Sequence, residues 1–292
     1  MKRLPVEGLT RRGFVALAAL AAAPASHAAR LPIRKAVWFG MLPNDMPLDD
    51  RFKLAKDCGF EAIECPTQPD AEKAEAFRKA AQASGLKIHS VMNQAHWEFP
   101  LSSSKPEVVE RSMQGMVASL ENAERWGADT VLLVPAVVNP DTSYAQAWER
   151  SQAQIRKLIP IAEKRKVIIG IEEVWNKFLL SPLEMARYVD DFQSPWIRAY
   201  FDVGNVVLYG YPQDWIRTLG KRIVKLHIKD FSFKKNVAEW TPLREGQINW
   251  KEIHRALAEI GYAGTATLEI SGGGEAHLRD VNKRFDMILN GD

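Results

Sequence analysis

Three carboxylates and one imidazole stand where four apolar, β-type runs end. They are Glu173 in IGIEEVWNKF (169–178), Asp202 in AYFDVGN (199–205), His227 in KLHIKDF (225–231) and Glu269 in TLEISGG (267–273). Carboxylate oxygens suit Mg2+ or Mn2+, and one imidazole adds affinity for Mn2+, Co2+ or Zn2+. The set therefore reads as a cage for one divalent metal ion, with Mn2+ the first choice. A single carboxylate after an apolar run would read as a helix cap or a surface charge. Four ionisable groups at successive strand ends crowd like charges together, and a cation is needed to offset their repulsion.

The elements that must carry these residues repeat. Short apolar runs at Lys35–Met41, Ala62–Pro66, Lys87–Asn93, Thr130–Val138, Val167–Val174, Ile197–Asn205, Ile223–Phe231 and Gly264–Ser271 alternate with stretches of helical length. Eight such units predict an α/β fold, a (β/α)8 TIM barrel filling residues 31–292 as one catalytic domain. Near-continuous apolar strands are what a parallel sheet buried on both faces requires. The intervening segments are amphipathic: over Arg111–Trp126 one face collects Met113, Met116, Val117, Leu120 and Ala123, and over Ser151–Lys164 another collects Ile155, Leu158, Ile159 and Ala162. These apolar faces read as core, as do Trp196 and Trp250.

Residues 1–28 have a different character. Thr10-Arg11-Arg12-Gly13-Phe14 precedes the apolar run Val15–Ala23 and the small-residue site Ser26-His27-Ala28. This is the pattern of a twin-arginine (Tat) signal peptide, and its apolar run falls well short of the ~20 residues that span a bilayer. The expectation is export of folded protein to the periplasm or beyond, with no stable membrane anchor after cleavage. The segment also carries the whole formal charge of +3, so the remainder is neutral and lacks the basic footprint of a nucleic-acid partner. Cys58 and Cys65 are expected to be buried thiols, although the compartment permits a disulfide.

The chain resembles the sugar and sugar-phosphate isomerases and epimerases of the xylose isomerase-like TIM-barrel superfamily. The likeness is greatest to the L-ribulose/L-xylulose-5-phosphate 3-epimerases, followed by the ketose (tagatose/psicose) 3-epimerases. It rests on AHWEFPLSS (95–103), ENAERWGADTVLL (121–133), EEVWNKFLLSP (172–182), FDVGN (201–205), HIKD (227–230), EGQINW (245–250) and GYAGTATLEI (261–270), which cover most of the chain after the signal. The resemblance implies that Glu173, in the family's Glu-x-x-Asn-[Arg/Lys]-Phe pattern, is metal ligand and acid/base. It implies that Asp202 and His227 are ligands and that Glu269 is the second glutamate of a catalytic pair. Neighbouring side chains in an extended strand point to opposite sides, so Glu172 is then expected to face away. His96, Asn176, Lys177, Asn205 and Lys229 are expected to contact substrate, and Asp230 to orient a neighbouring ring. His89 reads equally as a core residue, while His254 and His277 are expected outside the site.

The chemistry implied is proton transfer α to a carbonyl through an enediolate, as in a ketose 3-epimerase. The proton is too weak an acid to leave unaided, so a metal must polarise the carbonyl while one glutamate removes the proton and the other returns it. The export signal favours a non-phosphorylated sugar, against the greatest likeness; Asn205, three residues after the Asp ligand as in the phosphate-sugar branch, and Gly272-Gly273-Gly274 after the last strand point weakly to a phosphate. The same residues suit a metal-dependent lyase or hydratase acting on 3-keto-glycosides or keto-inositols. A multi-zinc endonuclease would need further ligands and a basic groove, and a non-catalytic carbohydrate-binding barrel would not need all four ligands. A homo-oligomer is compatible with the resemblance.

Overall fold

The computed structural model describes residues 29–292 other than Gln94, Lys235 and Asn236; the signal-like segment, residues 1–28, lies outside the described residues. Eight parallel strands close a barrel: β1 (Arg34–Trp38), β2 (Ala62–Pro66), β3 (Lys87–Met92), β4 (Thr130–Leu133), β5 (Ile168–Ile171), β6 (Ile197–Asp202), β7 (Ile223–Ile228) and β10 (Thr265–Leu268). Each is hydrogen-bonded to its sequential barrel neighbour, and β10 pairs with β1 to close the ring. The helices are α1 (Leu48–Asp57), α2 (Ala71–Ser84), α3 (Pro106–Trp126), α4 (Tyr144–Arg165), α5 (Pro182–Asp190), α6 (Pro212–Leu219), α7 (Trp250–Glu259) and α8 (Glu275–Asn290). The sequence expectation of a (β/α)8 barrel is met.

Strand alternation divides the side chains between two environments. Ile169 and Ile171 of β5, Phe201 of β6, Leu226 and Ile228 of β7 and Leu268 of β10 join the apolar layer between sheet and helices. That layer also takes Met116, Leu120 and Ala123 of α3 and Ile155, Leu158 and Ala162 of α4. The opposite parity faces the barrel axis and is largely polar, with Glu64, Ser90, Tyr200, His227 and Thr267 all buried there. Burial of roughly 1.5–3 kcal/mol per large apolar side chain in the outer layer is what supports so polar an interior. Cys58 and Cys65 are buried and free, as expected.

The main departure lies after β7. The run Ile223–Phe231 does not form one strand: β7 ends at Ile228, and an antiparallel hairpin, β8 (Asp230–Lys234) and β9 (Val237–Thr241), branches off. Asp230 anchors this excursion by accepting hydrogen bonds from the backbone N–H groups of Phe231, Arg244 and Gly246 and from Trp250 Nε1. Its carboxylate is therefore committed to the loop and, among the described residues, orients no histidine ring, contrary to expectation. The hairpin brings Trp240 over the barrel mouth, where it stacks on Trp175 with ring centroids 4.7 Å apart.

Candidate metal centre

Glu172, Asp202, His227 and Glu269 each place a ligand atom within 4.8 Å of the others at the C-terminal end of the barrel. Register brings them together. Asp202 pairs with His227 across β6 and β7, His227 pairs with Thr267 across β7 and β10, and Glu269 follows two residues later on the same face. His227 Nδ1 lies 2.7 Å from Glu172 Oε1, 3.1 Å from Glu269 Oε2 and 3.7 Å from Asp202 Oδ2. Three carboxylates around one imidazole nitrogen, all largely buried, fit a single divalent cation by donor type and spacing.

Glu172 replaces Glu173 in this group, a correction to the sequence expectation. Gly170 faces the barrel axis, where an added Cβ would lie 3.1 Å from the Tyr200 side chain, so the residue two positions on faces inward as well. Glu173 instead follows the outward parity of Ile171. It is 2% exposed, and neither of its carboxyl oxygens has a hydrogen-bond partner among the described residues. Burial, followed by the charges of Asp202 and Glu172, pushes its pKa well above the usual carboxylate range.

Within the cluster, charge is distributed unevenly. Burial, reinforced by Glu269 and Asp202 against the pull of His227, pushes Glu172 up to about 7. Burial also opposes ionisation of Glu269, but His227 and Lys229 outweigh it and hold Glu269 below the ordinary range. Burial would strip the proton from His227, yet Glu269, Tyr200, Glu64 and Glu172 hold it on. Lys229 Nζ sits 2.7 Å from Asp202 Oδ2 and 2.5 Å from Glu269 Oε2, so an ammonium lies against two of the prospective ligands. Gly204 makes room for it, since a Cβ there would collide with the Lys229 chain.

Glu64, in the middle of β2, is not among the residues the sequence singles out. Its Oε2 lies 2.7 Å from His227 Nε2, and its Oε1 accepts hydrogen bonds from Ser90 Oγ and Tyr200 Oη. This fixes the imidazole by its far nitrogen and leaves Nδ1 facing the carboxylates, the arrangement by which a carboxylate orients a metal-binding histidine. Alternation along Ala62–Pro66 could have shown Glu64 as an inward acid, but only the register reveals its partner. Glu64→Ala is expected to weaken metal affinity by about 10–100-fold, measured by titrating Mn2+ into metal-free protein.

The other expected contacts divide. Asn205 is buried and lines the cavity at the mouth, its side chain donating to Glu173 O and its backbone N–H to Asp202 Oδ1. Lys229 and His96 line the same cavity of about 280 Å3. Burial lowers His96 to about 4, making it a neutral ring at physiological pH. Asn176 is elsewhere: Nδ2 donates to Ala136 O at 2.6 Å and Oδ1 accepts from Phe178 N, so it clamps two loops rather than facing the cavity. Lys177 is exposed, does not line the cavity, and takes a left-handed backbone at φ 64°. Asn176→Ala is expected to cost about 1–3 kcal/mol of stability through the stranded carbonyl, with a lower melting temperature but little change in KM.

His89 is the residue skipped by the β2–β3 register; its ring is buried with Nε2 2.9 Å from Thr267 Oγ1, in the barrel core rather than the mouth. His254 lies in α7, its Nε2 3.1 Å from Ala29 O and remote from the cluster, as expected.

Comparison with known proteins agrees with this architecture. The profile of the xylose isomerase-like TIM barrel matches residues 52–285. The L-ribulose-5-phosphate 3-epimerase of Salmonella paratyphi A is 24% identical over 255 residues, covering 82% of this chain and 88% of the relative. A D-tagatose 3-epimerase-like protein superimposes with a TM-score of 0.77 at 17% identity, covering 88% of this chain and 97% of its own. The 3-keto-D-glucoside 4-epimerase of E. coli superimposes with a TM-score of 0.73 at 13% identity, covering 86% and 98%. All three relatives carry epimerase or epimerase-like names.

Proposed function

The chain belongs to the xylose isomerase-like TIM-barrel family, and from that premise we propose that it is a metal-dependent sugar epimerase that moves a proton α to a ketone by means of Glu172 and Glu269. The observation that carries this reading is the placement of these two carboxylates about His227 Nδ1, at 2.7 and 3.1 Å, in a largely buried cluster at the barrel mouth. Glu172, Asp202, His227 and Glu269 would hold a divalent cation, which when bound would polarise a substrate carbonyl and so acidify the adjacent C–H.

The chain's own groups do the rest. In the metal-free protein burial pushes Glu172 up to about 7, whereas His227 and Lys229 hold Glu269 ionised; with both carboxylates facing the cluster, each is placed to exchange a proton with a sugar carbon beside it. One glutamate takes the proton from one face of the reacting carbon and the other returns it from the opposite face. Lys229, aimed into the mouth, is placed to donate a hydrogen bond to a substrate oxygen when a cation takes over its neutralising role. His96 supplies a neutral hydrogen-bonding ring, and Trp175 and Trp240 wall the cavity against water.

Export by the twin-arginine route forms part of this proposal, and it favours a sugar without phosphate. The epimerase names of the relatives favour epimerisation over water loss. The reading is tested by incubating Mn2+-loaded protein with free ketoses and 3-keto-glucosides and identifying products by NMR. An epimer with unchanged mass is the expected product; water loss or aglycone release from every accepted substrate would refute the epimerase assignment. Cell fractionation is expected to place the protein outside the cytoplasm, and substitution of Arg11 and Arg12 by Lys to retain it inside.

A further inference from the structure

A second cavity opens beside the metal centre. It has a volume of about 610 Å3, against about 280 Å3 for the cavity at the cluster itself. The two share Lys229, Trp240 and Glu269. Ligand pockets usually run to about 300–1,000 Å3, so the first cavity suits one small sugar and leaves the larger one to a further group. Trp38, from the end of β1, lines the larger cavity, while Trp240, carried by the hairpin, forms the wall common to both.

The charges of this cavity decide what that group is. Arg284 is committed to Glu245 at 2.6 Å and Asp280 at 2.7 Å, and it also donates to Leu243 O. Lys229 is held between Asp202 and Glu269. Among the described residues the lining thus contains two cations, both paired, and four acids, Asp230, Glu245, Glu269 and Asp280. Two glycines of the run after β10 are explained by packing rather than by a phosphate. Gly273 N is spent on Met41 O at 3.1 Å, and a Cβ on Gly272 would lie 2.5 Å from the same oxygen, so close packing accounts for these glycines. The following helix opens with Glu275, which repels an anion at its N-terminus.

We propose that this second cavity is a subsite for a neutral sugar ring, so that the substrate is a keto-sugar linked glycosidically to a second sugar, reacting ring at the metal and partner ring beyond Glu269 and Trp240. The proposal rests on the epimerase reading for the reacting ring but is tested without turnover.

The experiment titrates glucose, glucose 6-phosphate and the disaccharides maltose, cellobiose and sucrose into the Mn2+-loaded protein by ligand-observed NMR. It is repeated with two variants at exposed positions on the cavity rim, Ser271→Trp and Asp280→Trp. At least one disaccharide is expected to bind about 10-fold or more tighter than glucose, and either folded variant is expected to remove that advantage while glucose binding persists. Equal affinity for glucose and all three disaccharides would overturn the proposal. So would a preference that survives both substitutions, or tighter binding of glucose 6-phosphate than of every disaccharide. Proton exchange on monosaccharide ketoses is read separately: its absence counts against the epimerase reading, whereas the disaccharide preference stands or falls by binding alone.

Discussion

Glu172→Gln is expected to lower proton exchange by at least about 10²–10⁴-fold, the usual contribution of a positioned acid/base group, while its neighbour's substitution, Glu173→Gln, leaves kcat/KM within a few-fold of wild type. The two substitutions are chemically identical and adjacent, so the contrast isolates which face of β5 carries the chemistry. Glu172 lies 2.7 Å from His227 Nδ1, whereas Glu173 is buried with no hydrogen-bond partner for its oxygens among the described residues. Stability moves the other way. Burial first, then Asp202 and Glu172, raise the Glu173 pKa in the folded protein above its unfolded value. A group shifted in that direction contributes its full stability below the unfolded pKa and loses it as pH rises through the folded one. Glu173→Gln is therefore expected to stabilise by ~1 kcal/mol or more at pH 7, the gain shrinking as pH falls toward the ordinary glutamate value of about 4.3. Thermal melts of both proteins from pH 4 to pH 8 measure this.

Chelation is expected to abolish turnover altogether, with recovery on adding back Mn2+ and lesser recovery with Mg2+, Co2+ or Zn2+. The structural ground is the buried donor set of Glu172, Asp202, His227 and Glu269, all within 4.8 Å of one another. In metal-free protein Lys229 and a protonated His227 offset part of the charge of the three carboxylates. A folded metal-free protein is thus expected, with a melting temperature below that of the loaded form. At metal concentrations of 100 times Kd the difference corresponds to about 2.7 kcal/mol, and differential scanning calorimetry with and without Mn2+ reads it. Equal melting curves and undiminished activity after exhaustive chelation would exclude a metal from both structure and reaction.

Much of this site was legible in the sequence because strand ends carry it. Asp202, His227 and Glu269 fall where the apolar runs predict, and each shares a face with a residue two positions earlier: Tyr200, Lys225 and Thr267. The same period-two reading of β5 points to Glu172, since Ile169 and Ile171 belong to the apolar layer and Gly170 must face Tyr200. The motif spacing to Asn176 favoured Glu173 instead, and that spacing reports a clamp between loops, because Asn176 binds Ala136 O. Alternation was the better guide to which carboxylate faces the axis. Glu64 and the hairpin Asp230–Thr241 were less visible for different reasons. Glu64 acquires meaning only through the contact of β2 with a histidine 163 residues later, and the hairpin continues the apolar run of β7 without an evident break.

The most direct test of the central claim is solvent exchange followed by NMR. Mn2+-loaded wild type, Glu172→Gln and Glu269→Gln proteins are incubated in D2O with a ketose or 3-keto-glycoside that the wild type accepts. Deuterium entering the carbon next to the carbonyl, together with the inverted epimer, is the result expected for wild type; each glutamine variant is expected to lose epimerisation while still binding the sugar. Epimer formation that persists in either variant, or inversion without any deuterium uptake, would contradict proton transfer by this pair of glutamates.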